Sequence, residues 1–257
     1  MKHVKPFMAI VALVAAAGSA HAGVALPQGF DLTVQMGDGT PWSLVNSWND
    51  SRLTVTRHEE IPGANGATAW SMSFAWDGQN WDGSFNLTLD PDPFVSQSFT
   101  IQNNSGVLQP FTVSVTLPIA PPLPGSTVMT GSVRGTVGDG DGQVDQFGNG
   151  ATVLSQANGR PYYEAFIDGN SVRSLLTSPR TDSAPLGVTR NINLQGDPAD
   201  FINELGPAAL STIGIRNAFQ LTPGDNAGFT STFLVVPAPG SLAVIGLAGL
   251  AATRRRR

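Results

Sequence analysis

No cysteine occurs in the chain, which excludes a disulfide framework, thiolate metal sites and a thiol nucleophile. Lysine is almost absent too, with Lys2 and Lys5 the whole supply. Charged residues make up 13%, about half the usual share. No apolar run reaches the roughly 20 residues that a helix needs to cross a hydrocarbon core. Glycine (29) and proline (19) are plentiful instead, and the hydrophobic set is 41%. That is enough to build a core and excludes wholesale disorder. A length of 257 residues suits one large domain or two small ones.

The two ends read as addresses. Lys2, His3 and Lys5 form a basic start, Phe7 to Ala17 is an apolar run, and Ala20-His21-Ala22 is a small-x-small cleavage site before Gly23. This is the pattern of a signal peptide over residues 1–22, removed by signal peptidase. At the other end Val236-Pro237-Ala238-Pro239 precedes an uncharged apolar run, Ser241 to Ala252. Arg254, Arg255, Arg256 and Arg257 then close the chain. A basic cluster after an apolar segment acts as a stop-transfer and stays on the cytoplasmic side. Twelve residues of helix reach only about 18 Å, so the expected transmembrane helix is a marginal, transient inner-membrane anchor.

The order of proline motif, small-residue apolar helix and terminal arginine cluster resembles the PEP-CTERM sorting signal of exosortase-processed bacterial proteins. Ala238 stands where that family usually has Glu. The resemblance covers residues 236–257. It implies export, brief tethering in the inner membrane, removal of the tail by an exosortase, and delivery to the cell surface or an exopolysaccharide matrix. It implies nothing about the activity of residues 23–235.

Trimming both signals leaves eight arginines against 19 acids, a net charge of about −11. Such a surface repels nucleic acid and anionic lipid. Period-2 segments dominate the middle: FDLTVQ from Phe30, RLTVTRH from Arg52, TAWSMSFAW from Thr68, and SQSFTIQ from Ser96. Further ones begin at Ser84, Phe111, Thr127, Tyr162, Val188, Thr212 and Phe229. Asp38-Gly39, Asp77-Gly78, Asn104-Ser105-Gly106 and Asp168-Gly169 supply residues that tolerate positive φ between them. The pattern predicts an all-β fold, a two-sheet antiparallel β-sandwich, jelly-roll-like or Ig-like. One helix is expected, capped by Asp197 with Pro198 first, Phe201, Ile202 and Leu205 as its apolar stripe, and Gly206-Pro207 ending it. Pro118 to Pro124 is the best linker candidate. The single-domain reading, 23–235, is preferred to two.

Three places invite chemistry. Asp139, Asp141 and Asp145, with glycines between, offer hard oxygen ligands for Ca2+. The EF-hand register fails, however, with Val137 where its first Asp belongs and Gly148 where its Glu belongs. The competing reading is a polar loop between strands. Trp76, Asn80 and Trp81 flank a turn, where exposed rings beside amides would stack sugars. Alternatively, the two rings staple a hairpin. His58 is followed by Glu59, but Pro62 stands where a zincin needs its second histidine, so a solvated strand end is the preferred reading. No catalytic residues emerge. The first functional reading is therefore a non-enzymatic exported surface or matrix protein. A carbohydrate-binding module and a polysaccharide hydrolase built on a carboxylate pair are the alternatives.

Overall fold

The computed structural model describes residues 26–156, 159–192 and 197–240. The signal helix expected over residues 1–22, and the apolar segment and arginine cluster from Ser241 to Arg257, lie outside them. In chain order the strands are β1 Asp31–Met36, β2 Trp42–Ser43, β3 Leu53–Pro62, β4 Thr68–Asp77, β5 Trp81–Asp90, β6 Phe94–Asn103, β7 Gln109–Pro118 and β8 Thr127–Gly138. Then come β9 Ala151–Leu154, β10 Tyr163–Ile167, β11 Asn170–Leu175, β12 Thr181–Ala184, β13 Thr189–Asn191, β14 Asp200–Gly206, β15 Thr212–Leu221 and β16 Asn226–Pro237.

Two antiparallel sheets pack face to face, consistent with a β-sandwich. The first runs β11-β10-β15-β7-β1-β2, with β9 also on β15 and β12 on β9. The second runs β13-β8-β16-β6-β5-β4-β3, with β14 also on β8. Side-chain alternation decides which face is buried. On β7, Phe111, Val113, Val115 and Leu117 are buried, while Thr112, Ser114 and Thr116 look outward. The buried faces meet in a column of rings. Phe99 lies 6.0 Å from Phe85, 5.8 Å from Phe229 and 6.3 Å from Phe219, and Phe219 lies 5.7 Å from Phe111. These rings come from both sheets, and burying each is worth about 1.5–3 kcal/mol. The Pro118–Pro124 stretch joins β7 to β8, which lie in opposite sheets around one continuous core.

The expected helix from Asp197 to Gly206 is a correction. Residues from Asp200 to Gly206 form β14, paired with β8 and interrupted by a bulge between Phe201 and Glu204. Asn203 takes a positive φ of 56° within it. A helix would have put Phe201, Ile202 and Leu205 on one face. Only Phe201 reaches the core, 6.2 Å from Phe233, and Ile202 and Leu205 are exposed. The unpaired edge of β8 supplied the hydrogen bonds that overrode the local cap signals.

The Asp168-Gly169 turn joins β10 to β11 with φ of 50° and 78°, the type I′ geometry that a two-residue hairpin prefers. The Asp168 carboxylate reaches across to the start of β15 and accepts hydrogen bonds from the N–H groups of Leu210, Ser211 and Thr212. Burial opposes its ionisation, but the N–H groups of Thr212 and Leu210 and the Ser211 hydroxyl and N–H outweigh it and hold its pKa at about 2.

Candidate functional site

Strand register builds the acidic cluster. Asn226 at the start of β16 pairs with Gly138 at the end of β8. The residues just beyond those two positions are therefore neighbours. Asp139, Asp141 and Asp225 each bring a carboxylate oxygen within 4.8 Å of the others. Of the three expected cation ligands, Asp139 and Asp141 come together and Asp145 does not join them. Asp145 instead closes its own loop, accepting from the N–H groups of Phe147 at 2.8 Å and Asn149 at 3.0 Å and from the Thr152 hydroxyl. Asp225, 84 residues from Asp141 along the chain, takes its place, and no local spacing could have revealed it.

The loop's own groups use these carboxylates. Asp139 accepts from the N–H groups of Gly142 at 2.7 Å and Gly187 at 2.6 Å. Asp141 accepts from Gln143 at 2.9 Å. The buried Asp225 accepts from the Thr222 hydroxyl and, at 3.4 Å, from the Gly140 N–H. The arrangement fastens the β8 exit to the β15–β16 turn, and the carboxylates alone do not mark a cation site.

Burial pushes the Asp225 carboxyl up to about 6 from an ordinary 3.8, against the lowering effect of Thr222 and Gly140 and with help from the Asp141 and Asp139 charges. The folded state therefore holds this proton more tightly than the unfolded chain. The stability it contributes is full below pH about 4 and is lost as pH rises through about 6, a change of about 1–3 kcal/mol. Asp168 works in the opposite sense: its contribution is present above pH about 4 and lost as pH falls toward 2. Urea midpoints measured from pH about 4 to 8 should fall for the wild type and stay nearly level for Asp225→Asn. Parallel curves for the two proteins would contradict this assignment. A cation held by the three carboxylates would keep Asp225 ionised, so added Ca2+ would erase the same slope.

The tryptophan hairpin is also corrected. Trp76 on β4 and Trp81 on β5 are only 5% and 7% exposed and belong to the core. Their rings lie 6.1 Å apart, with Trp42 of β2 at 5.1 Å from the first and 5.7 Å from the second. The Arg52 guanidinium lies 4.6 Å from the Trp76 ring. Asn80 is exposed at the turn. Trp42, Arg52, Trp76, Gln79, Asn80 and Trp81 do line one cleft of about 390 Å³ at the end of the sandwich. The indoles close on one another there and offer no pair of free ring faces, so the stapled-hairpin reading describes these two residues.

His58 lies within β3, half-buried, with its imidazole edge-on to Trp48 at 5.1 Å. Glu59 pairs with Arg57. The histidine is thus a strand residue packed on an indole, in mid-strand rather than at a strand end.

No family model matches this chain, and no curated protein matches it. Among solved structures it aligns with a chain of the "Structure of infectious bursal disease virus Gx strain" at 11% identity and a TM-score of 0.13. The alignment covers 86% of this chain and 64% of that one, so this chain spans less than two thirds of its length. A score that low carries no argument.

Proposed function

We propose that this is an exported, non-enzymatic β-sandwich protein of the cell surface or extracellular matrix. In this reading signal peptidase removes residues 1–22, and an exosortase-type protease acts on a PEP-CTERM-like tail over residues 236–257. The observation that carries the reading is the order at the C-terminus: Val236-Pro237-Ala238-Pro239, then Ser241 to Ala252, then Arg254 to Arg257. Residues 23–235 are read as the single passenger domain. Among the described residues no helix is long and apolar enough to cross a membrane.

Where the motif sits constrains its processing. β16 runs between β6 and β8, and its last residues, Val236 and Pro237, pair with Val128 and Thr127. Ala238 is buried, and its N–H donates to the Ser126 carbonyl at 3.1 Å. A cut upstream of Val236 would pull on an interior strand, while a cut after Ala238 leaves it whole. The β6–β7 and β15–β16 connections both pass between sheets, with β16 on β6 and β15 on β7. That folded ribbon favours the jelly-roll-like wrap over the Ig-like one.

Intact mass and terminal peptides of the native protein, compared between membrane and matrix fractions, test the proposal. The matrix form is expected to begin at Gly23 and end at or just after Ala238. A chain retaining Arg254 to Arg257 in the membrane would overturn the sorting reading.

A further inference from the structure

Across the middle of the second sheet's outward face the side chains are hydroxyls and amides, with the apolar Phe94, Leu234, Val128 and Val236 beyond them toward one end and Arg57 and Glu59 beside them on β3. Register places Asn86, Ser98 and Thr230 side by side in one row across β5, β6 and β16, and Thr88, Ser96 and Thr232 in the next. Ser84 and Thr100 begin a third row, which continues over Gly228 to Thr136 of β8. Neighbours in a row stand about 4.8 Å apart, and rows about 6.8 Å apart. None of these positions carries an ionisable group, in a chain whose net charge is −5. Arg134, at the end of the middle row, is paired with Asp200 at 3.3 Å.

The hydroxyls brace one another across strands, Ser98 with Thr230 at 3.0 Å and Thr232 with Ser132 at 2.8 Å. Each hydroxyl has one proton and two lone pairs, so a braced pair still has hydrogen-bonding capacity facing solvent. Gly228 is itself buried, and the Thr100 and Thr136 side chains close in over it. A Cβ there would come within 3.0 Å of Thr136 Oγ1 and 3.3 Å of Thr100 Oγ1. Beside Gly228 lies a groove of about 400 Å³ whose lining joins Ser98, Thr136, Thr230 and the charged Arg134 to the apolar Phe99, Ile192 and Phe229.

We propose that this face binds a neutral polysaccharide, one sugar seated in the groove and the chain continuing along the hydroxyl rows. The match is chemical. A polyol exchanges hydrogen bonds in both directions with Ser, Thr and Asn, and rows whose one flanking charge in the groove, Arg134, is already paired let it approach without stripping ions. An anionic polymer finds the cations at the two ends of the middle row, Arg57 and Arg134, already paired with Glu59 and Asp200, and meets the field of an acidic protein. Apolar side chains, Phe94, Leu234, Val236 and Leu205, stand beyond the rows on the same face, while the hydroxyl rows themselves present no such anchor to a protein partner. The inference does not depend on how the chain is sorted and names a different surface from the tryptophan cleft.

Affinity electrophoresis of the exported protein in native gels cast with dextran, pullulan or galactomannan tests it, with alginate as the anionic comparison. Retardation by at least one neutral polymer and none by alginate is expected. The pair Ser98→Ala and Thr230→Val, on exposed or half-exposed positions, should weaken retardation by at least about fivefold without lowering Tm. Gly228→Val should abolish it by displacing the Thr100 and Thr136 side chains beside the groove, and the hydroxyl pair stands as the test if that variant fails to fold. Asn80→Ala, in the tryptophan cleft, should change nothing. Retardation by alginate alone, or by none of the neutral polymers, overturns the proposal. So does unchanged binding in the hydroxyl pair, or loss in Asn80→Ala. Thermal hysteresis without glycan retardation would assign the hydroxyl rows to ordered water and overturn it as well.

Discussion

Arg180→Ala is expected to destabilise the protein by about 3–5 kcal/mol, measured as the loss of unfolding free energy in urea. The Arg180 side chain is 1% exposed and that of Asp182 is 4% exposed, with Nε donating to Oδ2 at 3.1 Å. A second nitrogen reaches the half-exposed Asp197 at 3.2 Å, and the guanidinium lies 5.8 Å from the Tyr162 ring. The Arg180 backbone is held as well: its N–H donates to the Ser155 hydroxyl and its carbonyl accepts from the Ser155 N–H, both at 2.9 Å. The backbone ties survive truncation to alanine, and the charge does not. Asp182 would then be an anion in a dry interior beside a cavity the size of the lost side chain. What costs is breaking the pair, not lacking it, so Arg180→Met with Asp182→Leu should recover most of the loss. A single-variant loss under about 1 kcal/mol would show that the pair is not desolvated as described.

Asn217→Ala is expected to cost about 3–4 kcal/mol for a different reason. Asn217 belongs to the first sheet, yet its side chain crosses the core. Its Oδ1 accepts from Gln97 Nε2 at 2.7 Å and from the Ser231 hydroxyl at 3.1 Å, both residues of the second sheet. Its Nδ2 donates to the Tyr162 carbonyl at 2.8 Å. All three polar side chains are at most 1% exposed. Truncation therefore leaves an amide, a hydroxyl and a carbonyl deprived of this partner where no water reaches, at about 1–3 kcal/mol each before partial relaxation. Replacing Gln97, Asn217 and Ser231 together with Leu, Leu and Ala should be far less damaging than the single change. Equal losses for the single and the triple variant would refute the network account.

Much of this fold is legible in the residues because alternation is a local property. Phe111 to Leu117, Ser96 to Gln102 and Thr212 to Leu221 announce their strands, since each buries every second side chain. Asp168-Gly169 announces its turn, since few other residues accept positive φ twice in succession. The short strands β2, β9, β11 and β12 are less legible. β2 and β11 hold few buried side chains, β9 and β12 are only four residues long, and all four pair along a neighbour's edge that offers hydrogen bonds. β14 is the plainest case, where an N-cap aspartate and a first-turn proline gave way to the edge of β8.

The candidate sites divide along the same line. Asp139 and Asp141 could be singled out because they are two residues apart in one loop. Asp225 could not, because the β8–β16 register is a long-range choice made by core packing. Trp76 and Trp81 were visible as a pair, but whether a strand's even or odd residues face inward depends on the partner sheet, which turned both rings into the core. The hydroxyl rows were present as scattered Ser-x-Ser-x-Thr and Thr-x-Thr stretches on strands far apart in the chain. By itself the sequence determined the β class and the turns, both written in neighbouring residues. The tertiary structure alone decided which strands lie side by side. That choice, made by burial of the phenylalanine column and the Asn217 network, set Asp225 beside Asp141 and lined β5, β6 and β16 into one neutral hydroxyl face.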